Sequence, residues 1–323
     1  MIQHVHSDRT PDLEFNLITW KGRVMRRARS STTLFLSALL AMAIVFVATA
    51  PANATPVRSD GRGKVIFVHG FDPTLTAAVN CEEYWSDAIN YFKSQGYADN
   101  QLITYGYYSK KLGSDGCTTR FTDEDGKYGA RNTDLTEIAR NFANRVYNAY
   151  SSSPHGGQKV DVVAHSMGGL VVRAALYHVS KGTTGFPPYL YIEDVVTLGT
   201  PHNGANIGQL NLCAHALQCR QMREGSNFFK GLPRTPSVSD MGTDWTAVSS
   251  YDDGTVSAGS GTWINAHHKT QYHLDAGIDH TALKDLESGK HRGRVWTVQW
   301  TIWYERPSPL ETAFTAAYHH AAA

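Results

Sequence analysis

The stretch KVDVVAHSMGGLVVRAAL, beginning at Lys159, sets one serine, Ser166, between an apolar run and a second apolar pattern. Val160–Ala164 has the composition of a buried strand, and Leu170, Val171, Ala174, Ala175 and Tyr177 recur at helical spacing. Ala164 lies two residues before the serine and Gly168 two after, so strand and helix can approach closely. Such a turn strains the serine backbone and presents its hydroxyl, which suits a nucleophile. The helix that follows aims its first N–H groups at the same place, where an oxyanion would form. The alternative is a structural serine in a small-residue turn.

A nucleophilic serine needs a base, and the base needs a group to orient it. Downstream, SSYDDGTVS places Asp252 and Asp253 after a strand pattern that starts at Trp245, and LDAGIDHTAL places His280 in a turn before a helical pattern. Other histidines compete, namely His202, His267, His268 and His273, but His280 sits in a Gly/Asp turn ahead of a helix. Asp253 is favoured as the acid, because Asp252 can simply cap or solvate the turn. Two backbone donors are expected to hold the oxyanion: the N–H of Met167, after the serine, and that of Phe71, after His69-Gly70. An ordinary strand-ending turn is the alternative for His69-Gly70.

The elements that would position these residues are legible as alternating strands and helices. KVIFVHGF (64–71), QLITYGYY from Gln101, Val160–Ala164, IEDVVTLGT from Ile192 and WTAVSS from Trp245 read as buried strands. Asp134 to Tyr150 reads as a helix opened by Asp134 and Glu137. Near-continuous apolar strands between helices predict an α/β fold with a mostly parallel central sheet and helices on both faces. From about residue 291, RVWTVQWTIWYERP reads as one strand with Trp296, Val298, Trp300, Ile302 and Tyr304 on one face, followed by an exposed Ala-rich tail. The long connection from about Ala205 to Val238 carries more than one apolar face, and Phe228 or Phe229 is expected to contact an acyl chain there, the alternative being plain core packing.

The chain has 323 residues and a net charge of +1, with no basic stripe, which argues against nucleic-acid binding. Arg23, Arg26, Arg27 and Arg29 precede the apolar run TLFLSALLAMAIVFVATA, and Ala52–Ala54 follows it. Residues 1–54 therefore read as a signal peptide cleaved after Ala54, with translation starting at Met1 or Met25. Cleavage after Ala50 and a retained anchor are the alternatives. Residues 55–323 are expected to form a single domain in an exported protein. Four cysteines in such a chain imply disulfides, and proximity in sequence pairs Cys81 with Cys117 and Cys213 with Cys219. No CxxC spacing supports a metal site.

The motifs VHGF (68–71), AHSMGG (164–169), LGTPHNGA (198–205), DDGTV (252–256) and DHTAL (279–283) together resemble the bacterial secreted lipases and esterases of the α/β-hydrolase superfamily. AHSMGG is similar to the nucleophile elbow of small bacterial lipases that carry Ala at its first position. The resemblance implies an α/β-hydrolase fold. It makes Ser166 the nucleophile, His280 the base, Asp253 its partner, and Phe71 and Met167 the oxyanion donors. In DDGTV the family's acid directly precedes the Gly, which again selects Asp253. Expected with it are a small-molecule or lipid ester substrate, transient contact with a lipid–water interface, a monomer, and no cofactor or metal. The chain departs from the smallest members in its length, its four cysteines and its Trp-rich segment, which leaves the substrate open. Acyltransferases, amidases and polyester hydrolases share the elbow, and a non-catalytic binding protein is the reading from another class.

Overall fold

Strands form where β-branched and aromatic residues are buried on both faces. In a computed structural model the described residues are 56–71, 79–108, 116–121, 130–152 and 157–320. Nine strands run in chain order: β1 (Lys64–Val68), β2 (Leu102–Gly106), β3 (Thr119–Arg120), β4 (Val160–His165), β5 (Ile192–Leu198), β6 (Asp244–Ser250), β7 (His268–Tyr272), β8 (Lys290–Trp296) and β9 (Tyr304–Pro307). They make one sheet of order β3-β2-β1-β4-β5-β6-β7-β8-β9. Pairing is parallel from β3 through β7 and antiparallel at β7–β8 and β8–β9. The leader proposed for residues 1–54 lies outside the described residues.

Strand side chains alternate faces, and both faces here are apolar. In β1, Ile66 and Val68 join one buried cluster, whereas Val65 and Phe67 join the other. Helices Leu135–Val146 and Met167–Ser180 cover the first face; helices Ser86–Ser94 and Pro309–His319 cover the second. Helix Leu135–Val146 starts where the Asp134 carboxylate accepts the Thr136 N–H at 2.7 Å, satisfying one otherwise unpaired first-turn donor. It buries Leu135, Ile138, Ala139, Phe142, Ala143 and Val146, which repeat at three and four. The α/β-hydrolase architecture with a mostly parallel sheet is therefore the observed one.

Two expectations for the end of the chain are corrected. The segment 291–304 is not one strand: β8 stops at Trp296, the chain turns, and β9 resumes at Tyr304 as its antiparallel partner. Val298 and Ile302 lie on the connecting loop and are 90% and 83% exposed. The tail is not an exposed coil either. Ser308 caps helix Pro309–His319 by accepting the Glu311 N–H, Pro309 occupies its first turn, and Leu310, Ala313, Ala316 and Ala317 are buried against the second face. Small alanines let this helix lie close to the sheet.

Both disulfides form as paired by proximity, Cys81–Cys117 and Cys213–Cys219. Gly106 of β2 must lack a side chain beside the first of them, since a Cβ there would meet Cys117 Sγ at 2.5 Å.

Candidate active site

The strand order reverses between β1 and β4, whose neighbours lie on opposite sides, and the carboxyl ends of these strands border a crevice. β1 ends in His69-Gly70-Phe71 and β4 runs directly into Ser166. Ser166 has φ 54° and ψ −130°, a conformation that residues other than glycine rarely adopt. Close approach of helix to strand imposes it. A Cβ on Gly168 would lie 2.3 Å from the Val68 carbonyl oxygen, and one on Gly169 would lie 2.1 Å from Thr200 Oγ1. The Ser166 N–H donates to the Leu198 carbonyl at 2.9 Å, tying the turn to β5.

His280 reaches this serine from the loop after β7. Its Nε2 lies 2.9 Å from Ser166 Oγ, and its Nδ1 lies 2.7 Å from Asp253 Oδ2. A carboxylate opposite Nδ1 selects the tautomer protonated there, so Nε2 is left to accept the serine proton. Asp253 is itself held by its loop. Its Oδ1 accepts the Thr255 and Val256 N–H groups, each at 2.8 Å. Asp252 is only half-buried, and its backbone N–H donates to Ser250 Oγ. Gly199, at φ 58°, floors the pair: a Cβ there would stand 3.1 Å from both Asp253 Oδ2 and His280 Nδ1. Three loops at the carboxyl ends of β4, β6 and β7 thus converge on one hydrogen-bonded line.

The Gly70–Phe71 turn lies against Ser166, because a Cβ on Gly70 would meet its Cβ at 2.8 Å and its Oγ at 3.3 Å. Tyr107 O–H fixes this turn by donating to the carbonyls of His69 and Gly70. Met167 opens helix Met167–Ser180, whose first N–H groups have no carbonyl partner within the helix. Phe228 and Phe229 are half-buried in helix Asn227–Lys230, with rings 5.5 Å apart. They pack on the same apolar cluster that contains Met167 and receives Phe71, while the hydrogen bonds of the serine line come from other elements.

Sequence reasoning missed two residues here. His165 Nε2 lies 2.8 Å from the His280 carbonyl oxygen, so it carries the proton and donates. Its Nδ1 must then accept, and Tyr84 O–H supplies that bond while its oxygen accepts the Gly70 N–H at 3.1 Å. Burial, and the nearby His280, hold the His165 ring well below the usual histidine range, so it stays neutral. A chain of hydrogen bonds therefore links the Gly70 turn to the backbone of His280. Its signal in the sequence is only the histidine preceding the serine. Competing histidines fall elsewhere: His202 is buried with Nε2 3.0 Å from Thr197 Oγ1, and His267 and His268 face Asp244. His273 pairs with Asp275.

Among the described residues one trio, Glu193, Asp194 and His320, offers metal-ligand atoms within 4.8 Å of one another. It lies at the other end of β5 from Leu198, and Lys159 and Arg58 already pair with its carboxylates.

Residues 61–215 match the family described as PGAP1-like alpha/beta domain. No curated protein matches the chain. Solved structures similar to it include Aspergillus fumigatus lipase B, at 16% identity and a TM-score of 0.44, covering 71% of this chain and 52% of that one. The phospholipase PlaB from Legionella pneumophila, in complex with thio-NAD, is 16% identical with a TM-score of 0.39, covering 62% and 44%. Bacillus licheniformis lipase BlEst2 in mature form is 16% identical with a TM-score of 0.38, covering 71% and 90%. The chain spans about half the length of the first two. Its sheet order, with the serine turn at the reversal and a PGAP1-like alpha/beta match across β1 to β5, gives the chain an α/β-hydrolase fold.

Proposed function

We propose that the protein is a secreted serine hydrolase of carboxylic esters, acting through Ser166, His280 and Asp253. The observation that carries this reading is the line Ser166 Oγ–His280–Asp253, with contacts of 2.9 and 2.7 Å, built on a serine at φ 54°. His280 takes the Ser166 proton as Oγ attacks the ester carbonyl, forming a tetrahedral oxyanion. The N–H groups of Phe71 and Met167 receive its charge. His280 then protonates the departing alcohol, leaving an acyl-Ser166 ester. Water, losing its proton to His280, attacks that ester and releases the acid, and the proton returns to Ser166. Each backbone donor is expected to lower the barrier by about 3–4 kcal/mol. Asp253 stabilises the imidazolium in both halves without itself taking the proton.

Phe228 and Phe229 are proposed to bound the acyl chain, on the strength of the apolar cluster they share with Met167. Two disulfides support export, since such bonds persist in oxidising surroundings. A mature monomer from residue 55 is part of the same reading. The test is labelling by a serine-directed fluorophosphonate together with hydrolysis of p-nitrophenyl esters of graded chain length. Labelling at Ser166, its loss in Ser166→Ala, and turnover of the esters are expected. An unlabelled, inactive parent would refute the reading, and labelling with amide turnover alone would refute the ester class.

A further inference from the structure

A second cavity, of about 570 Å³, opens over β7 and β8 on the side of the Trp-rich hairpin. Arg234, Lys269 and Arg294 line it together with Trp263, Trp296 and Trp300, and no carboxylate does. Lys269 is the telling residue. It is 7% exposed, and among the described residues its ammonium has neither a hydrogen bond nor an ion pair; it rests 5.3 Å over the Trp296 ring. Its stem is buried, and its ammonium opens into the cavity with no anion beside it among the described residues. Burial, and the charge of Arg234, lower its affinity for a proton, which marks the same deficit.

The two arginines are aimed but not saturated. Arg294 spends Nε and one terminal nitrogen on Gln271 Oε1, at 3.0 and 2.7 Å, and that terminal nitrogen also meets the Tyr251 hydroxyl at 2.8 Å. Arg234 donates from Nε to the Trp263 carbonyl at 2.8 Å. Their remaining terminal nitrogens have no partner among the described residues. Indole rings hold all three cations in place: Arg234 lies over Trp263 at 5.3 Å and Arg294 over Trp300 at 4.7 Å. Three fixed cations with free donors and no acid of their own match a dianion with three terminal oxygens, and the volume leaves room for the small organic group that bears it.

We propose that this cavity binds a phosphomonoester of a small polyol or sugar, free or displayed on a lipid. Either source fits the rim, because Val298 and Ile302, on the loop that carries Trp300, are exposed and can meet a bilayer. The site is independent of Ser166, so its fate and that of the hydrolase reading separate.

The test uses the full mature chain, with two probes. Glycerol 3-phosphate is titrated calorimetrically, and sedimentation is measured with phosphatidylcholine vesicles with and without phosphatidic acid. Saturable binding to at least one phosphate probe is expected, at least tenfold weaker in Lys269→Met and in Arg234→Gln and unchanged in Ser166→Ala. Binding of both probes, or of glycerol 3-phosphate alone, assigns a free phosphate as sufficient. Binding of the acidic vesicles alone assigns the lipid source. Arg234 is exposed, so its variant is expected to fold whatever happens to Lys269→Met. Absence of binding to either probe, or affinity in Arg234→Gln equal to that of the parent, overturns the proposal.

Discussion

Replacing Asp253 by asparagine is the sharpest probe of the proposed charge line, because the two ends of the side chain are asked for opposite things. Oδ1 accepts two loop N–H groups, from Thr255 and Val256, while Oδ2 accepts from His280 Nδ1. An asparagine has one oxygen and one NH₂ to distribute. Turning the NH₂ toward the loop would set it against two buried donors, at about 1–3 kcal/mol for each one left unpaired, so about 2–6 kcal/mol in all. The oxygen therefore stays with the loop and the NH₂ faces His280. Nδ1 must then accept, and the ring proton moves to Nε2, pointing at Ser166 Oγ. The base is occupied. A loss of about 10⁴ in kcat follows, equivalent to about 5.5 kcal/mol of barrier. Because the loop bonds survive, the urea midpoint should hardly move. The assay is p-nitrophenyl butyrate hydrolysis on matched protein, with Asp252→Asn as the control, expected within about threefold of the parent because Asp252 gives the turn its backbone N–H, to Ser250 Oγ, which asparagine keeps. Activity of Asp253→Asn within tenfold of the parent, or an equal fall in Asp252→Asn, would refute the reasoning.

Gly168→Ala forces a Cβ onto backbone carbonyls, whereas Gly169→Ala forces one onto the Thr200 side chain. Both should lose about 1–3 kcal/mol or more to overpacking, but only Gly169→Ala should regain stability when Thr200 is also changed to Gly, as read by urea unfolding. Rescue of neither would put the strain elsewhere. For the disulfides, sequence separations of 36 and 6 predict that removing Cys81–Cys117 costs about 4 kcal/mol and removing Cys213–Cys219 about 2 kcal/mol on loop entropy. Equal costs for the two double-serine variants would contradict the closure argument. Burial pushes the Asp194 carboxyl up to about 7, against the pull of His320 and Arg58. A raised folded-state value means that its contribution to stability is complete below the ordinary 3.8 and is lost as pH rises through about 7. Asp194→Asn should therefore gain on the parent steadily between about pH 4 and pH 7, and parallel stability curves for the two proteins would exclude that linkage.

How far the fold could be read beforehand depended on whether burial and polarity agreed. β1, β4 and β5 are apolar on both faces, so composition alone marked them. The serine turn was legible because its small residues sit at fixed offsets demanded by backbone contact, as at Gly168. β7 was not legible: its sequence is His-Lys-Thr-Gln-Tyr, yet Lys269, Thr270, Gln271 and Tyr272 are all buried. There polar partners replace apolar ones, Gln271 Nε2 donating to the Ala258 carbonyl and Thr262 Oγ1. Missing it hid the strand that delivers His280. The Trp-rich segment failed for the opposite reason, since alternation continued through a loop whose apolar residues face solvent. The last helix had its signals, Ser308-Pro309 followed by Glu311, but its alanines carry little hydrophobic weight. Nothing in the sequence announces the link from Tyr84 to His165, because the two residues lie 81 positions apart and meet only in the fold.

Ser166 occupies a backbone conformation at φ 54° that suits glycine better than any other residue. Holding it there costs on the order of 1–3 kcal/mol, a cost that a glycine would escape at the expense of chain entropy worth roughly 0.5–1 kcal/mol. The variant Ser166→Gly should thus be as stable as the parent or more so, and more stable than Ser166→Ala, which keeps the strain and loses the hydroxyl. Selection acting on stability alone would drift this position to glycine. With Ser166 as the proposed nucleophile, melting temperature and turnover are set in opposition at a single residue.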